Sequence, residues 1–398
     1  MGVMQVGFVA IGIAQGAIDR AVTLAHTKTG VASTATLRER PTFHIGLAEA
    51  VALVRGSRAW LRDALREFGS FVAKHQGRLR VTCQGEKRLD APIMHLETVL
   101  VTGRGVSLSS DVVAACAEAG TDYLDLSGEP TWMRQMIDAH EAAAKASGAR
   151  ILFSCGFDSI PFELGVFFAQ ETAKAKLGGP VPRVKGRVRA IQGGLSGGTA
   201  ASGRVTLEAM TKDPSLFPLM MSPFALTPGF EGPEQPRGDK PETDPDVGPV
   251  APFMMAIINT KNVHRSNALM GRPWGDDFVY DEMVVGGPAE APAFTDLGGA
   301  AGPQPGEGPT KAEREAGFYD IAFIGVAADG RRVKVAVKGD RDPGYGSTSK
   351  MIAETAICLV KEAPEVPGGV WTPGAALQGR LIARLRGHAG LSFEVEAA

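Results

Sequence analysis

Two turns in the middle of the chain carry polar side chains directly after apolar segments. The first begins after a predicted strand at residues 122–126. Open α/β sheets bind their ligands at the carboxyl ends of their strands, so Ser127 and Glu129 are predicted to hydrogen-bond a ribose or a substrate group, and Gly128 to let a ligand approach closely. A helix that starts here with Pro130 in its first turn explains the proline and part of the acid equally well.

The second turn, residues 154–161, follows the next predicted strand and reads Ser-Cys-Gly-Phe-Asp-Ser-Ile-Pro. Cys155 and Gly156 are predicted to contact a cofactor, and Asp158 a substrate, at the junction of two domains, because a glycine at a strand end often marks close approach of a ligand. Alternatively, Asp158 or Ser159 caps the following helix through its side-chain oxygen. No histidine lies near Cys155 in the sequence, which disfavours a nucleophilic cysteine.

A glycine-rich segment after the first predicted strand, residues 5–11, offers a dinucleotide site at Gly12 and Gly16. Its spacing differs from Gly-x-Gly-x-x-Gly, so small residues that only let a helix and a strand pack closely explain it as well. Arg38 follows the second predicted strand, where a residue that meets the cofactor ribose is found, and an arginine there favours a 2′-phosphate and hence NADP. A solvated surface arginine is the commoner interpretation.

Four glycines lie in the run Gly-Gly-Leu-Ser-Gly-Gly-Thr at residues 193–199, before a predicted helix at residues 200–210. Ser196, Gly197 and Thr199 are predicted to bind a substrate anion or carboxylate through the many backbone N–H groups of this run. A loop that needs positive φ angles accounts for the same glycines.

The other reactive residue types do not form the sets that hydrolysis or metal binding requires. The seven histidines are isolated, and the four cysteines have no Cys-x-x-Cys spacing. No metal site is predicted, no catalytic residue is assigned, and the cysteines indicate reduced thiols. Hydride transfer remains, because it needs few protein groups when a cofactor carries the chemistry.

The composition is that of a globular protein with more than one core. The chain has 398 residues, of which 44% are hydrophobic, and single cores stop growing near roughly 250–300 residues. A net charge of −2 leaves no positive field for nucleic acid. The apolar runs fall short of the roughly 20 residues that a spanning helix needs, and no secretory signal is recognised. A cytoplasmic protein with at most a peripheral membrane contact is therefore predicted.

These turns need an α/β framework to position them. Strands alternate with helices in the first half, which predicts a Rossmann-type parallel sheet with helices on its faces. Residues 1–165 are assigned to this dinucleotide-binding domain, with residues 1–110 atypical. The clearest elements are a helix at residues 111–119 ending at Gly120, a strand at 122–126, a helix at 133–146 closed by Gly148 and a strand at 150–154.

A second, α+β domain with a mixed or antiparallel sheet is predicted for residues 166–340. Its Pro, Gly, Asp and Glu content predicts long loops at residues 230–252 and 286–309. Strands at residues 318–326 and 332–337, joined by Asp329 and Gly330, predict a β-hairpin. Residues 341–398 are predicted to form a helix, at 346–360, and a tail that return to the first domain. Met- and Phe-rich runs at 217–221 and 253–255 are candidates for a substrate channel, although buried core is the commoner explanation.

Several segments are specific in combination. They begin with Thr-Asp-Tyr-Leu-Asp-Leu-Ser-Gly-Glu at residues 121–129 and continue through the turn at residues 154–161. Further segments are found at 194–199, 251–253, 258–260, 265–267, 344–351 and 388–394. From about residue 111 to its end the chain thereby resembles the saccharopine dehydrogenase-like family, and within it the branch named for trans-acting enoyl reductases.

The resemblance implies a domain that binds NADP or NAD and a second domain that offers the substrate surface, to which Asn259 is assigned. In the enoyl reductase branch, hydride is delivered to an activated double bond of a small or carrier-bound acyl substrate, in lipid or polyketide assembly. In the saccharopine branch, an amino-acid carbon–nitrogen bond is oxidised or reduced, which would need clustered Arg and Lys to hold carboxylates. Family membership alone does not choose between them, and a homodimer is compatible with either.

The first 110 residues depart from the family pattern. Members of this family usually begin with a strand that runs into Gly-Ala-Thr-Gly-x-x-Gly, and no such string occurs there. The same segment holds 14 Lys and Arg against 8 Asp and Glu, a net charge of +6, whereas the remaining residues sum to −8. The segment is either a diverged Rossmann half or the product of a shifted reading frame. A scaffold protein that has lost cofactor binding is the corresponding non-enzymatic alternative.

Overall fold

A computed structural model describes residues 106–193, 206, 210–286 and 308–397 of the chain. All of them belong to one compact unit, Glu97–Ala398. The described helices are α1 Val106–Ala119, α2 Pro130–Ser147, α3 Ile160–Leu177, α4 Leu216–Met221, α5 Ala256–Leu269, α6 Lys311–Ala316, α7 Thr348–Lys361 and α8 Pro373–Arg384, with π-helical turns at Pro343–Ser347 and Leu385–Ala389. The described strands are β1 Tyr123–Leu124, β2 Arg150–Leu152, β3 Arg183–Gln192, β4 Glu242–Asp244, β5 Gly248–Pro252, β6 Val279–Val285, β7 Phe318–Val326, β8 Arg332–Gly339, β9 Gly369–Trp371 and β10 Leu391–Glu396.

A small parallel sheet has the strand order β1-β2-β9. Tyr123 lies opposite Ile151, which is fully buried as expected for a strand covered on both faces. The outermost strand, β9, comes from near the end of the chain and pairs with β2 in parallel. Arg150 reinforces this return, because its guanidinium group donates to the carbonyl oxygens of Leu359 and Ala363, both at 3.1 Å.

A larger, mixed sheet has the order β10-β8-β7-β3-β6-β5-β4. Its strands pair in antiparallel fashion except β3 and β6, which run parallel. The predicted hairpin is present as β7 and β8, and Gly330 in its turn has a φ of 86°. The α/β class with one parallel and one mixed sheet, predicted from the sequence, is thus confirmed.

Glycine and proline set the helix ends that the sequence indicates. Helix α1 ends before Gly120 and α2 before Gly148, both with positive φ. Helix α2 begins at Pro130, one turn earlier than predicted, because proline fits the first position of a helix. The helix predicted at residues 346–360 begins instead at Thr348, after the π-helical turn Pro343–Ser347.

The prediction of one continuous loop at residues 230–252 is wrong. Strands β4 and β5 form an antiparallel hairpin within it, and β5 pairs with β6 at the edge of the large sheet. Val250 and Ala251 are buried there. Pro249 and Pro252 lie on β5, beside the edge strand β4, so the proline content of this segment concealed a strand pair. The second predicted loop, 286–309, lies almost wholly outside the described residues.

A buried ionic network anchors this edge hairpin to the centre of the sheet. Arg187 on β3 is 1% exposed and bonds to Asp244 on β4 at 2.9 Å and to Asp281 on β6 at 2.9 Å. Lys185 donates to the other oxygen of Asp244 at 3.0 Å and to Asp246 at 2.6 Å. Each charge is compensated, which is the condition for burying it.

Replacing Asp244 by alanine should therefore destabilise the protein strongly, because Arg187 and Lys185 would lose a buried counter-charge. We expect the free energy of unfolding to fall by about 3–5 kcal/mol, measured by urea denaturation. Asp239→Ala is the matched control, since that side chain is 52% exposed, and should change stability by less than about 0.5 kcal/mol. Equal effects of the two substitutions would contradict the role given to the network.

Candidate functional site

The turn after β1 is organised around one buried carboxylate. Asp125 is 3% exposed, and its Oδ1 accepts a hydrogen bond from the backbone N–H of Ser127 at 3.0 Å. Its Oδ2 accepts from the hydroxyl groups of Tyr123, at 3.0 Å, and of Ser127. Burial raises the pKa of Asp125 to about 6, against the lowering effect of these donors. The carboxylate therefore fixes the direction in which the chain leaves the strand.

The same carboxylate joins the turn after β2 to the turn after β1. The N–H of Cys155 donates to the carbonyl oxygen of Asp125 at 2.8 Å. The N–H of Ser154 donates to the side-chain Oδ1 of Asp125 at 3.3 Å. The Ser154 hydroxyl donates to the carbonyl oxygen of Ser127 at 2.7 Å. The two predicted turns are therefore brought together at the carboxyl edge of the parallel sheet.

Ser127, Gly128 and Glu129 form the more accessible side of this edge, and all three are half-buried. The N–H of Gly128 donates to Glu129 Oε2 at 2.9 Å. A Cβ added at Gly128 would meet no atom within 4 Å, so the space in front of its backbone is open. A hydroxyl, a carboxylate and an open backbone are groups that fit the ribose and nicotinamide part of a dinucleotide. Their assignment to a cofactor stays a prediction.

Cys155 and Gly156 face the interior of the protein instead. The Cys155 side chain is fully buried and donates weakly to the carbonyl oxygen of Leu152 at 3.5 Å, and burial raises the pKa of its thiol. A Cβ at Gly156 would lie 2.9 Å from side-chain atoms of both Leu126 and Thr348. The packing of the protein itself requires this glycine, so the inference of close ligand approach from its position is not needed. Cofactor contacts by these two residues stay predictions.

A third segment, which contains Thr348, contacts the turn at residues 154–161, and we call this contact the corner. The hydroxyl of Thr348 accepts from the N–H of Phe157 at 2.9 Å and donates to the carbonyl oxygen of Pro343 at 2.7 Å. A Cβ at Gly193, which begins the four-glycine run, would lie 2.6 Å from the ring of Pro343. Three motifs far apart in sequence therefore converge. Ser196, Gly197 and Thr199 lie outside the described residues, as do Gly12, Gly16 and Arg38.

Beyond this corner, helix α3 packs on α5 and α5 packs on β6, and the polar side chains along these contacts form what we call the polar seam. Its members are Asp158, Ser159, Glu163, Asn259, Asn262, Ser266, Tyr280 and Glu282. Asn259 Nδ2 donates to Glu282 Oε2 at 2.9 Å, and the Tyr280 hydroxyl donates to Glu282 Oε1 at 2.8 Å. Burial raises the pKa of Glu282 well above its ordinary value. Asn259, a predicted substrate contact, is thus fully buried and bonded to an acid.

The start of α3 is held by the seam and not by a side-chain cap. Ser159 occupies the cap position, but neither it nor Asp158 bonds the first N–H groups of the helix, so the capping prediction is wrong. Ser159 Oγ accepts instead from Asn262 Nδ2 at 2.9 Å. One turn later, Glu163 Oε2 accepts from the Ser266 hydroxyl at 2.7 Å and from the N–H of Gly374 at 2.9 Å.

The seam has more hydrogen-bond acceptors than donors. Within the described part of the chain, four buried oxygen atoms find no hydrogen-bond partner: Asp158 Oδ1, Glu163 Oε1, Asn259 Oδ1 and Asn262 Oδ1. Burial raises the pKa of both Asp158 and Glu163 to about 7. A buried acceptor without a donor is costly, and a proton on a carboxyl group supplies a donor. The seam is therefore suited to hold protons near neutral pH.

The rest of α5 is also polar and buried. Burial lowers the pKa of Lys261 to about 8 and that of His264 to about 3. Lys261 donates to the carbonyl oxygen of Ile257 at 2.7 Å, and Arg265 to the carbonyl oxygens of Leu226 and Val370, both at 2.6 Å. These hydrogen bonds bind the cations to backbone oxygens outside the seam.

Sequence reasoning missed most of the seam. Glu163, Asn262 and Glu282 were not singled out, because each lies in a helix or strand where a polar residue is ordinarily solvated. A usable signal was the polar run of α5, which lacks the apolar stripe of a surface helix, followed by two acids inside the apolar strand β6. Among the described residues, no group of three or more His, Cys, Asp and Glu could hold a metal ion, and no helix is long and apolar enough to cross a membrane.

Known proteins resemble the chain over most of its length. It is 36% identical over 318 residues to a protein of Mycobacterium tuberculosis named as a trans-acting enoyl reductase, which covers 71% of this chain and 76% of the relative. A trans-acting enoyl reductase of Mycobacterium bovis is 31% identical over 337 residues, 75% of this chain and 80% of the relative. The chain belongs to the trans-acting enoyl reductase family. The polar seam and the strand-end turns are thus features of an enoyl reductase family member.

Two further comparisons add less. Residues 4–122 match a family described as acyl-CoA dehydrogenase, C-terminal domain. Among solved structures, a meso-dapdh mutant from Clostridium tetani shares 12% identity at a TM-score of 0.30, covering 71% of this chain and 76% of that one. An amine dehydrogenase from Mycobacterium smegmatis shares 13% identity at a TM-score of 0.26, covering 67% and 72%. Scores this low do not establish a common fold.

Gly156→Ala should destabilise this enoyl reductase family member, because the new methyl group would overlap Leu126 and Thr348. We expect a loss of about 1–3 kcal/mol in the free energy of unfolding, measured by urea denaturation. Gly128→Ala in the neighbouring turn is the control and should lie within about 0.5 kcal/mol of the parent protein. If Gly156→Ala were equally mild, the tight packing at the corner would be refuted.

Glu163 should make stability depend on pH. Its raised pKa means that the folded protein binds this proton more tightly than the unfolded chain, so stabilisation present at pH 4 is lost as pH rises through about 7. A rise from 4.5 to about 7 corresponds to about 3 kcal/mol. Glu163→Gln should remove this contribution and be more stable than the parent protein at pH 8, measured by thermal unfolding across pH.

Glu171→Gln on the same helix is the control for that comparison, because its side chain is 46% exposed. Its pH dependence of stability should equal that of the parent protein. If Glu163→Gln also retained the parental pH dependence, Glu163 would be ionised in the folded state and the described origin of its raised pKa would be wrong.

Proposed function

We propose that this chain is a reductase that uses a reduced nicotinamide cofactor to saturate the double bond of an enoyl thioester. The observation that carries the proposal is the match to trans-acting enoyl reductases over some 70% of the chain. The joined turns after β1 and β2 support it, because they offer open backbone and polar groups at the carboxyl edge of a parallel sheet. The acyl nature of the substrate gains support from the acyl-CoA dehydrogenase description of the segment 4–122.

Ser127, Gly128 and Glu129 would hold the ribose and nicotinamide part of the cofactor, which supplies a hydride when bound. A glycine-rich turn for the pyrophosphate is not among the described residues. Gly12 and Gly16 remain the predicted positions for it, and Arg38 remains the basis for proposing NADP over NAD. The polar seam begins with Asp158 and Ser159 at the end of the turn at residues 154–159, and the substrate is proposed to bind there.

The alternative of a saccharopine-type amino-acid dehydrogenase finds less support among the described residues. Such an enzyme would need free Arg or Lys groups to hold substrate carboxylates. The seam contributes acids and amides instead, and Arg187 and Arg265 already bond to groups of the protein. The wider saccharopine dehydrogenase-like membership, the cytoplasmic location, the carrier-bound form of the substrate and a homodimer are retained as proposals from the sequence.

Turnover tests the proposal directly. The full chain is mixed with NADPH or NADH and a trans-2-enoyl thioester, and the loss of nicotinamide absorbance is followed together with the appearance of saturated product. We expect stoichiometric conversion with one of the two cofactors and none with a saturated thioester. Binding of cofactor without turnover of any enoyl thioester would favour another dehydrogenase substrate, and absence of cofactor binding up to millimolar concentration would favour the scaffold alternative.

Gly128→Leu should separate cofactor binding from folding. A leucine side chain would fill the open space in front of this backbone, so we expect at least a tenfold rise in the dissociation constant for the nicotinamide cofactor, measured by fluorescence titration. Gly179→Leu is the control, because a Cβ there also meets nothing within 4 Å but lies in the connection between α3 and β3. Both variants should unfold like the parent protein. Unchanged cofactor affinity in Gly128→Leu would remove this turn from the cofactor site.

A further inference from the structure

Among the residues that the structure describes, no cation pairs with the three carboxyl groups of the polar seam. Asp158 lies two residues before α3, Glu163 in its first turn, and Glu282 on β6. The seam residues of α5 that face them contribute amides and a hydroxyl only, from Asn259, Asn262 and Ser266. Ionised Asp158 would repel ionised Glu282, and burial alone disfavours the charge of Glu163, so protons take the place of the missing counter-charge.

The hydrogen bonds that each carboxyl group accepts determine which oxygen atom is available for a proton. Both oxygens of Glu282 already accept a hydrogen bond, from Tyr280 and from Asn259. Asp158 Oδ1 accepts none and is inaccessible, yet the residue as a whole is only half-buried. A carboxyl oxygen without a donor is the position at which a proton meets no competing N–H or O–H. Asp158 is therefore the half-buried member of the seam that can hold a proton, and only its other oxygen, Oδ2, can meet a bound molecule.

The position of Asp158 in the chain links it to the cofactor side of the site. It lies three residues after Cys155, whose N–H is bonded to the carbonyl oxygen of Asp125 at the end of β1. Between them, the N–H of Phe157 is fixed by Thr348. The turn is thus tied at both ends, and Asp158 is held between the strand edge and the seam.

We propose that Asp158 is the catalytic acid of this site. The inference rests on the proposed function. A reduced nicotinamide held at Ser127 and Glu129 would supply a hydride to the β carbon of the enoyl thioester and would itself be oxidised. The electron pair of the double bond moves onto the α carbon and the thioester oxygen, and the α carbon then takes the proton from the Asp158 carboxyl group. Water returns a proton to the carboxylate, and the saturated thioester leaves.

The groups around Asp158 give the direction of its pH dependence. Burial raises its pKa to about 7, and its charge in turn raises the pKa of Glu282. Glu163 on α3 is a further acid, whereas the cations of α5, Lys261 and Arg265, bond to backbone oxygens outside the seam. The protonated form of Asp158 predominates below about pH 7. Turnover should therefore fall as pH rises above that value.

The experiment compares the full-length protein with Asp158→Asn and Asp158→Glu. In the absence of cofactor and substrate, infrared spectra across pH count protonated carboxyl groups, and Asp158→Asn should lose one band that titrates near pH 7 in the parent protein. In turnover at pH 7, Asp158→Asn should be slower by about 100-fold or more, the usual range for removing a general acid. Asp158→Glu should regain part of the rate. Asp276→Asn, whose side chain is 72% exposed, should match the parent protein in both readouts.

If the parent protein reduces enoyl thioesters and Asp158→Asn keeps its rate and pH profile, Asp158 is not the catalytic acid, while the proposed function stands. A parent protein that reduces none would overturn the proposed function and the acid with it. Absence of any protonated carboxyl band at pH 7 would overturn the acid even if Asp158→Asn failed to fold.

Discussion

Burial of carboxyl groups without a cationic partner is the constraint on which the site depends. Asp125 satisfies it with hydrogen-bond donors from Tyr123 and Ser127, and so remains able to ionise near neutral pH. The polar seam satisfies it only in part, since oxygen atoms of Asp158 and Glu163 have no donor. At Asp125, the hydrogen bonds that offset burial also fix the turn after β1. In the polar seam, where such bonds are incomplete, burial favours protonated carboxyl groups.

The turn at residues 154–159 connects Asp125 to the polar seam. Cys155 in this turn bonds to Asp125, and Ser159 at its end bonds to the seam residue Asn262. The parallel sheet ends at Asp125, whose carbonyl oxygen fixes Cys155, and the chain then enters α3, which packs on α5. Stability of the large sheet is provided elsewhere, by paired charges around Arg187. Compensated ions thus stabilise the framework, while uncompensated acids lie where a ligand is proposed to bind.

The sequence predicted elements whose signals are local. Gly120 and Gly148 end helices, Gly330 marks a hairpin, and the turns at Ser127 and Ser154 follow strands as expected. It failed where long-range packing decides. The space around Gly156 is filled by Thr348, almost 200 residues away, and β5 is recognisable only from its pairing with β6. Likewise Glu282 looks like an ordinary strand acid until the fold buries it against Asn259.

The central claim is that cofactor and substrate meet between the strand-end turns and the polar seam. A crystal structure of the full chain with an oxidised nicotinamide dinucleotide tests it most directly. We predict density for the nicotinamide riboside within hydrogen-bonding distance of Ser127 or Glu129, with the ring directed toward Asp158. A dinucleotide bound elsewhere on the chain, with the backbone at Gly128 facing only solvent, would contradict the account.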